Sequence, residues 1–477
     1  MNTAMSKSKD LVLALDQGTH ASRALVLDQN GCQVASAMRP VSLNRLDAHR
    51  VEQDGKEVLS TLSACIEAVL EEPAVIDGNL TAAGLATQRS SIIAWDRETG
   101  DALSPVLSWQ DTRAAALLAD SGLTDKKARA LTGLPLSPHY GASKLRWLLT
   151  NNQAVNRAAN SGRLMMGPLA SFLVFHLTCE QRFVIDHGNA QRTQLMNIDT
   201  LRWDDQLLNA FGIEQHWLPV VTPIRHHTGT LRWQDIPLHA VNGDQNSAVY
   251  SEGGLADDEA LVVFGSGAFI LANSGEGREP LNVLLNTILD SSEHGVRYSI
   301  EGTVNGAGAA LKWIETQWGP VAGLPDQWLE NCDTPPVFIN TVGGLGSPWW
   351  RTGIAPYFLL PAHDLGAEEK RAGVLESIVF LIQANLERLQ QHKTITQLRV
   401  SGGLSQSDRL CQLLSNISGL NVLRPEKCEA TARGIAWLAT QPGEPWPLPA
   451  STFLPTTDHA LMARYKQFDA ELKTLTA

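Results

Sequence analysis

Residues Leu11–Asp28 read LVLALDQGTHASRALVLD, and residues Leu261–Gly275 read LVVFGSGAFILANSG. Each stretch is an apolar β-type run, a glycine-centred turn with small hydroxyl residues, and a second apolar run, which is the pattern of a tight hairpin. Successive backbone N–H groups around such glycines form a concavity suited to phosphate oxygens. Either hairpin alone reads equally as an ordinary surface feature. The pair, in two halves of one chain, points to two like domains, each offering a turn to a polyphosphate.

Outward from the first hairpin, Gly55–Glu72 has helical periodicity and leads into the strand-like LTAAGLATQ, Leu80–Gln88. A second apolar run, Ser91–Trp95, is followed by a turn at Arg97–Asp101. Alternating strands and helices predict an α/β domain. The apolar stretch Leu164–Leu177 reads as one buried helix, and Asn197–Gly212 supplies a capping Asp or Thr before an amphipathic helix. The first domain is expected to span residues 1–245, ending at the NGDQ turn Asn242–Gln245, with 246–477 as the second. In the second half, EGTVNGAGAALKWI (Glu301–Ile314) predicts a helix whose glycine-rich approach leaves its N-terminus open. Gly366–His392 reads as one long helix, Gln397–Ser401 as a strand, and Gly402-Gly403 as a turn before a new helix from about Ser407.

Composition narrows the partners. A chain of 477 residues is long enough for two or three domains with sizeable cores. A net charge of −12 argues against nucleic acid or an anionic membrane surface as the main partner, so an anionic substrate must be met by local cations, N–H groups or metal. MNTAMSKSKD at the N-terminus has no apolar signal-peptide region, and the apolar runs are too short and interrupted to span a bilayer. The cysteines at 32, 65, 179, 332, 411 and 428 show no CxxC spacing and read as reduced packing thiols, which points to a cytoplasmic protein.

Four segments carry candidate chemistry. Asp16-Gln17-Gly18-Thr19 places a carboxylate at a strand end, where it can hold Mg²⁺, with Gly18 and Thr19 facing phosphates and Arg23 adding charge. Asp244, in Gly243-Asp244-Gln245, is placed at the domain junction to accept a proton from a substrate hydroxyl, and reads equally as a helix cap. Gly265-Ser266-Gly267 forms the second phosphate turn. Gly402-Gly403 before a helix gives close backbone approach to a nucleotide. His226-His227 has no third ligand nearby in sequence and reads as surface.

Together the segments resemble the FGGY carbohydrate kinases, and within that family its glycerol kinase branch. The resemblance runs over roughly residues 10 to 440. It rests on LALDQGTHASRALVLD, VEQD (Val51–Asp54), ATQRSSIIAWDRETG, LSWQDTRAA, TGLPLSPHYGASKLRWLL, IDHGNAQRTQLMNIDTLRWDD, GDQNSA, FGSGAF, GAGAALKW, GLGSPWW, SGGLSQSD and RPEKCEATARGIAWLA. It implies two ribonuclease-H-like domains of the actin/hexokinase type, hinged over an interdomain cleft. It implies transfer of the γ-phosphoryl group of MgATP to a hydroxyl of a small polyol or sugar, in a family that often forms dimers or tetramers. Carried over motif by motif, Asp244 is the general base and Asp16 the magnesium residue. Arg89, Asp244 and Gln245 hold substrate hydroxyls, with Ser90, His139 and Phe269 lining the acceptor site. Gly18, Thr19, His20, Arg23, Gly265, Ser266, Gly308, Lys312, Gly403 and Ser407 serve the nucleotide.

The chain departs from that pattern at both ends of the reaction. Ser90 stands where the glycerol kinases have Glu, and His139 where they have Tyr. A charge-assisted hydrogen bond is worth roughly 1.5–3 kcal/mol, so loss of the Glu weakens glycerol about 10- to 150-fold or makes room for a longer polyol or ketose. On the nucleotide side, His20 and Ala21 replace hydroxyl residues, Lys312 replaces a neutral amide, and Ser401 replaces an Asp. Two other readings stay open on the sequence: a non-catalytic nucleotide-binding regulatory member (a pseudokinase) of the same fold, and an ATPase of the actin or chaperone type.

Overall fold

The computed structural model describes residues 10–278, 281–320, 323, 325–426 and 429–476. Among these, the strand Asp10–Gln17 turns back into Ala21–Asp28, with Leu11 opposite Asp28 and Gln17 opposite Ser22. Both strands are almost wholly buried, which is why their apolar runs are continuous rather than alternating. The described residues of Met1–Gly254, with Thr287–Arg297 and Glu429–Pro447, make one compact unit; those of Leu255–Asn286, Tyr298–Cys428 and Leu448–Ala477 make the other. Residues 246–254, Thr287–Arg297 and Glu429–Pro447 therefore belong with the first unit, which the contiguous division expected from sequence did not anticipate.

The first unit is built on a six-stranded sheet. Gln33–Pro40, Ala21–Asp28 and Asp10–Gln17 form an antiparallel meander, followed by Asn79–Thr87 and Pro237–Gly243 in parallel and Arg225–Thr230 at the far edge. The helix Gly55–Leu70, capped by the Asp54 side chain on Lys56 N–H, packs on the strands of the meander. The helix Ala430–Thr440 packs against Asp10–Gln17, Asn79–Thr87 and Pro237–Gly243. Its close approach requires glycine at two contacts. A Cβ at Gly434 would lie 1.8 Å from the Ser247 carbonyl oxygen, and one at Gly84 would lie 2.6 Å from that of Ile435. Arg433, buried, fixes the same segment by donating to the carbonyls of Gly31, Ser251 and Trp446.

A smaller five-stranded sheet in this unit runs Asn44–Arg45, Val51–Gln53, Val106–Leu107, Ile92–Asp96 and Leu164–Pro168. Leu164–Leu177 is therefore not one helix. Leu164–Pro168 pairs antiparallel with Ile92–Asp96, and the helix begins only at Leu169. A fully apolar run does not distinguish a buried strand from a buried helix, and Gly167-Pro168 resolves it against a continuous helix.

The sheet of the second unit repeats the order of the first. Gly295–Val304 (from Tyr298 onward), Ala268–Gly275 and Glu259–Phe264 form the meander, and Gln397–Gly402 and Asn421–Pro425 follow in parallel, with Ala450–Phe453 at the edge. The second quoted hairpin thus occupies the same place in its sheet as the first. The long helix Ala367–Leu389 runs through this core, with Leu375, Ile378, Val379, Ile382 and Leu386 buried against the sheet's side chains. Among the described residues no helix is long and apolar enough to cross a membrane.

Candidate active site

In the first unit the chemistry gathers where the parallel strands of the larger sheet end. Asp16 is buried at the end of Asp10–Gln17, 3.6 Å from the Arg23 guanidinium on the paired strand. Arg23 also lies 3.5 Å from Glu429. Burial pushes the Asp16 carboxyl up to about 7; Arg23 opposes this, and the negative charges of Asp244 and Glu429 add to it. A buried carboxyl in the field of two others is chemistry that a divalent cation would relieve, so the donor set fits Mg²⁺ at Asp16. Among the described residues no group of three or more His, Cys, Asp or Glu is placed to hold a metal, which makes Asp16 a single-carboxylate candidate.

The Gln17–His20 turn is held from inside by glutamines. Gln17 Nε2 donates to the Gly18 carbonyl (2.8 Å), Gln53 Nε2 to the Thr19 carbonyl (2.9 Å), and Gln88 Nε2 to both glutamine oxygens (2.9 Å each). The turn's carbonyls therefore point inward. Gly18 N–H bonds to the Ala21 carbonyl at 3.0 Å, so this amide closes the turn rather than facing a ligand. The Thr19 hydroxyl accepts from the Trp109 indole at 3.0 Å, and His20 is exposed.

Strand Pro237–Gly243 delivers Asp244 to the first turn of the short helix Asp244–Ala248. Arg89 joins this helix to the segment after Asn79–Thr87. Its guanidinium donates to Asn246 Oδ1 (2.8 Å) and to Gln245 Oε1, and its Nε is 3.9 Å from Asp244. The arginine stem lies flat on Gly243, where a Cβ would come within 2.6 Å of it. Arg89 is buried whereas the Asp244 side chain keeps 25% of its surface. The base candidate is thus accessible, its Oδ1 accepting from Gln245 N–H at 2.8 Å with a buried cation close by.

Ser90 follows Arg89 with φ +65°, in the left-handed region that a serine rarely adopts. Its hydroxyl is buried and has no hydrogen-bond partner. Such an orphan group needs an explanation, and a ligand hydroxyl is one. His139 lies beside the tryptophan that bonds Thr19, its ring 5.6 Å from that of Trp109. Burial, helped by Lys144, Arg192 and Arg89, holds its imidazole well below the usual range, hence neutral. His226 and His227 are both exposed.

The second unit holds the remaining candidates. Gly265-Ser266-Gly267 forms the hairpin turn, closed by Gly265 N–H to the Gly267 carbonyl at 2.8 Å. The helix Gly308–Trp318 docks on that turn. Ala307 and Ala309 N–H groups donate to the Ser266 carbonyl (3.2 and 2.9 Å), and Gly308 N–H to the Gly265 carbonyl (3.1 Å). The expected open helix N-terminus is therefore closed by the hairpin. Only glycine fits at 308, since a Cβ would lie 2.9 Å from the Gly265 oxygen. Lys312 is exposed on this helix, and Phe269 is half-buried on the strand after the turn. Gly402 has φ +93° and lies against the Phe264 backbone, while the space above Gly403 is open. The Ser407 hydroxyl caps the helix Asp408–Ser418 by accepting from Leu410 N–H (3.0 Å), and donates to Asp326.

Sequence reading missed six residues of the first-unit site. Trp109 and the Gln17–Gln53–Gln88 set act through contacts between distant segments. Glu429 arrives from the far end of the chain. Lys144, fully buried, lies in the helix Gly141–Asn151 beside a second cation, Arg146, so no signal in the sequence singles it out.

Comparison with known proteins places the chain in a family. The model of the N-terminal domain of the FGGY family of carbohydrate kinases matches residues 11–250, and that of its C-terminal domain matches residues 260–441. Glycerol kinase of Acinetobacter baylyi is 33% identical over 442 residues, covering 90% of this chain and 89% of that protein. Glycerol kinase of Citrifermentans bemidjiense is 32% identical over 448 residues, covering 90% of each. Among solved structures, Plasmodium falciparum glycerol kinase with ADP superposes with a TM-score of 0.85 at 23% identity, covering 98% of both chains. Gluconate kinase from Lactobacillus acidophilus also gives 0.85, at 19% identity over 98% of this chain and 99% of that one. At such identities the structural likeness establishes the fold alone.

Proposed function

The chain belongs to the FGGY family of carbohydrate kinases, and from that premise we propose that it transfers the γ-phosphoryl group of MgATP to a hydroxyl of a small polyol or sugar. The observation that carries this reading is Arg89 hydrogen-bonded to Gln245 and Asn246 and 3.9 Å from Asp244, beside the Asp16–Arg23 pair, all within the first unit. It combines an accessible carboxylate, a buried cation close by, and polar groups able to grip an acceptor hydroxyl.

Asp244 accepts the proton of the acceptor hydroxyl as its oxygen forms a bond to the γ-phosphorus. The bond from that phosphorus to the bridging oxygen breaks, and ADP leaves with the electron pair. Arg89, Gln245 and Ser90 take acceptor hydroxyls. His139, neutral, closes the acceptor site with Trp109. Magnesium, when bound at Asp16, supplies charge neutralisation on the transferring group. Arg23 and the Gly18–His20 turn serve the phosphates from the first unit. Gly265, Ser266, Gly308, Lys312, Gly403 and Ser407 serve the nucleotide from the second.

Ser90 in place of a carboxylate shifts the acceptor preference away from glycerol toward a longer polyol or ketose. The test is ADP production with MgATP over glycerol, erythritol, arabitol, xylitol, xylulose, ribulose and gluconate, with Asp244→Asn as control. Stimulation by one compound, cut about 10²–10⁴-fold in the variant, is the expected result for a general base. Undiminished turnover in Asp244→Asn removes Asp244 from the mechanism. Silence over the panel with ATP still bound favours a nucleotide-binding member without the chemistry.

A further inference from the structure

Lys144 lies in the helix Gly141–Asn151 with no exposed surface. Its Nζ donates to three main-chain carbonyls: Ser90 at 3.2 Å, Ser108 at 2.8 Å and His139 at 2.8 Å. An ammonium has three N–H donors, so its capacity is filled. The three carbonyls come from three separate segments, and each adjoins a side chain of the acceptor site. Ser90 carries the orphan hydroxyl and follows Arg89; Ser108 precedes Trp109; His139 packs on Trp109. The charged groups acting on Lys144 are Asp111 and Arg113. The Asp111 carboxylate, however, is occupied by the Arg113 guanidinium (2.7–3.0 Å) and by Val51 N–H (2.8 Å). The lysine is therefore tied to carbonyls.

We propose that Lys144 is a positioning residue for the acceptor site, its ammonium joining the Ser90, Ser108 and His139 segments into one rigid node, so that acceptor affinity depends on the lysine's charge. This rests on the kinase reading above. The geometry gives the node a chemical sensitivity. A neutral amine keeps two N–H donors and turns a lone pair toward the third carbonyl, which repels it. Burial pushes Lys144 down to about 7, with Arg113 acting in the same direction and Asp111 against it. The node therefore loosens as pH rises through that value.

The experiment is steady-state kinetics with the panel's best acceptor, comparing wild type, Lys144→Met and Lys144→Arg between pH 6.5 and 9, with Tm recorded for each. For the wild type, acceptor KM should climb several-fold from pH 6.5 to 9 while ATP KM stays level. Lys144→Met should show acceptor KM raised about tenfold at pH 6.5 and flat with pH, since small misplacements in a site carry penalties of this order. Lys144→Arg, which keeps the charge, should recover part of the loss. Equal acceptor KM in wild type and Lys144→Met, or acceptor and ATP KM moving together, overturns the proposal. If the methionine variant does not fold, the wild-type pH series decides alone, and a flat acceptor KM overturns it. A wild type that turns over no acceptor removes the kinase reading and this inference with it, whereas an active enzyme indifferent to Lys144 removes only the inference.

Discussion

Ser90→Gly separates what Ser90 does for the fold from what it does for the acceptor. At φ +65° a serine carries a left-handed backbone penalty of roughly 1–2 kcal/mol. Glycine removes that penalty but loses about 0.5–1 kcal/mol through the greater freedom of its unfolded chain. The substitution also removes a buried hydroxyl that has no partner, whose desolvation costs about 1–3 kcal/mol. No protein hydrogen bond is broken, because the Ser90 group that is bonded is the main-chain carbonyl on Lys144. The sum predicts that Ser90→Gly stabilises the ligand-free protein by about 1–4.5 kcal/mol, read as a Tm rise of at least ~2 °C. If the hydroxyl meets an acceptor hydroxyl, the lost hydrogen bond is worth about 0.5–1.5 kcal/mol, or a roughly 2- to 12-fold rise in acceptor KM. Thermal unfolding without ligand and acceptor KM at saturating ATP are the two assays. A lower Tm would refute the strain argument. A higher Tm with unchanged acceptor KM would refute the role given to the hydroxyl.

Two other perturbations follow from the same coordinates. Gly308→Ala puts a methyl group 2.9 Å from the Gly265 carbonyl oxygen, a backbone atom that cannot swing aside; overpacking of about 1–3 kcal/mol should displace the Gly265–Gly267 turn, raising ATP KM and leaving acceptor KM alone, and an unchanged ATP KM counts against the turn's nucleotide role. His187 is buried against Ser291 at 2.9 Å, and burial holds its imidazole down to about 4. The unfolded chain then binds a proton that the folded chain refuses between about pH 6.5 and 4, so this histidine's contribution to stability is lost as pH falls through that window. Asp186, pushed up to about 6 by burial, acts in the opposite direction, so the comparison is by difference: Tm of His187→Gln should fall less steeply than wild type from pH 6.5 to 4, and parallel curves would count against the assignment.

What the sequence by itself determined is whatever a local pattern encodes. The two hairpins, the helices at Gly55–Leu70 and Ala367–Leu389, and the strands that lead to Asp16 and Asp244 were legible because burial leaves apolar runs and turns leave glycine. The family motifs then named Arg89, Gln245 and Gly308. Tertiary structure alone decided how these groups are held. Gln17, Gln53 and Gln88 are ordinary polar residues until three segments bring them together. Lys144 looks like a surface lysine until its helix turns it onto carbonyls 5, 36 and 54 residues away. Glu429 reaches Arg23, and Arg433 reaches Gly31, only because the last part of the first unit returns after most of the second unit has been threaded. The helix at Gly308 looked open at its start because its partners, the Gly265 and Ser266 carbonyls, lie more than a strand pair earlier in the chain. A hydrogen bond between distant segments has no period and no composition, so it leaves no mark on a single sequence; it exists only once the sheets have set the distances.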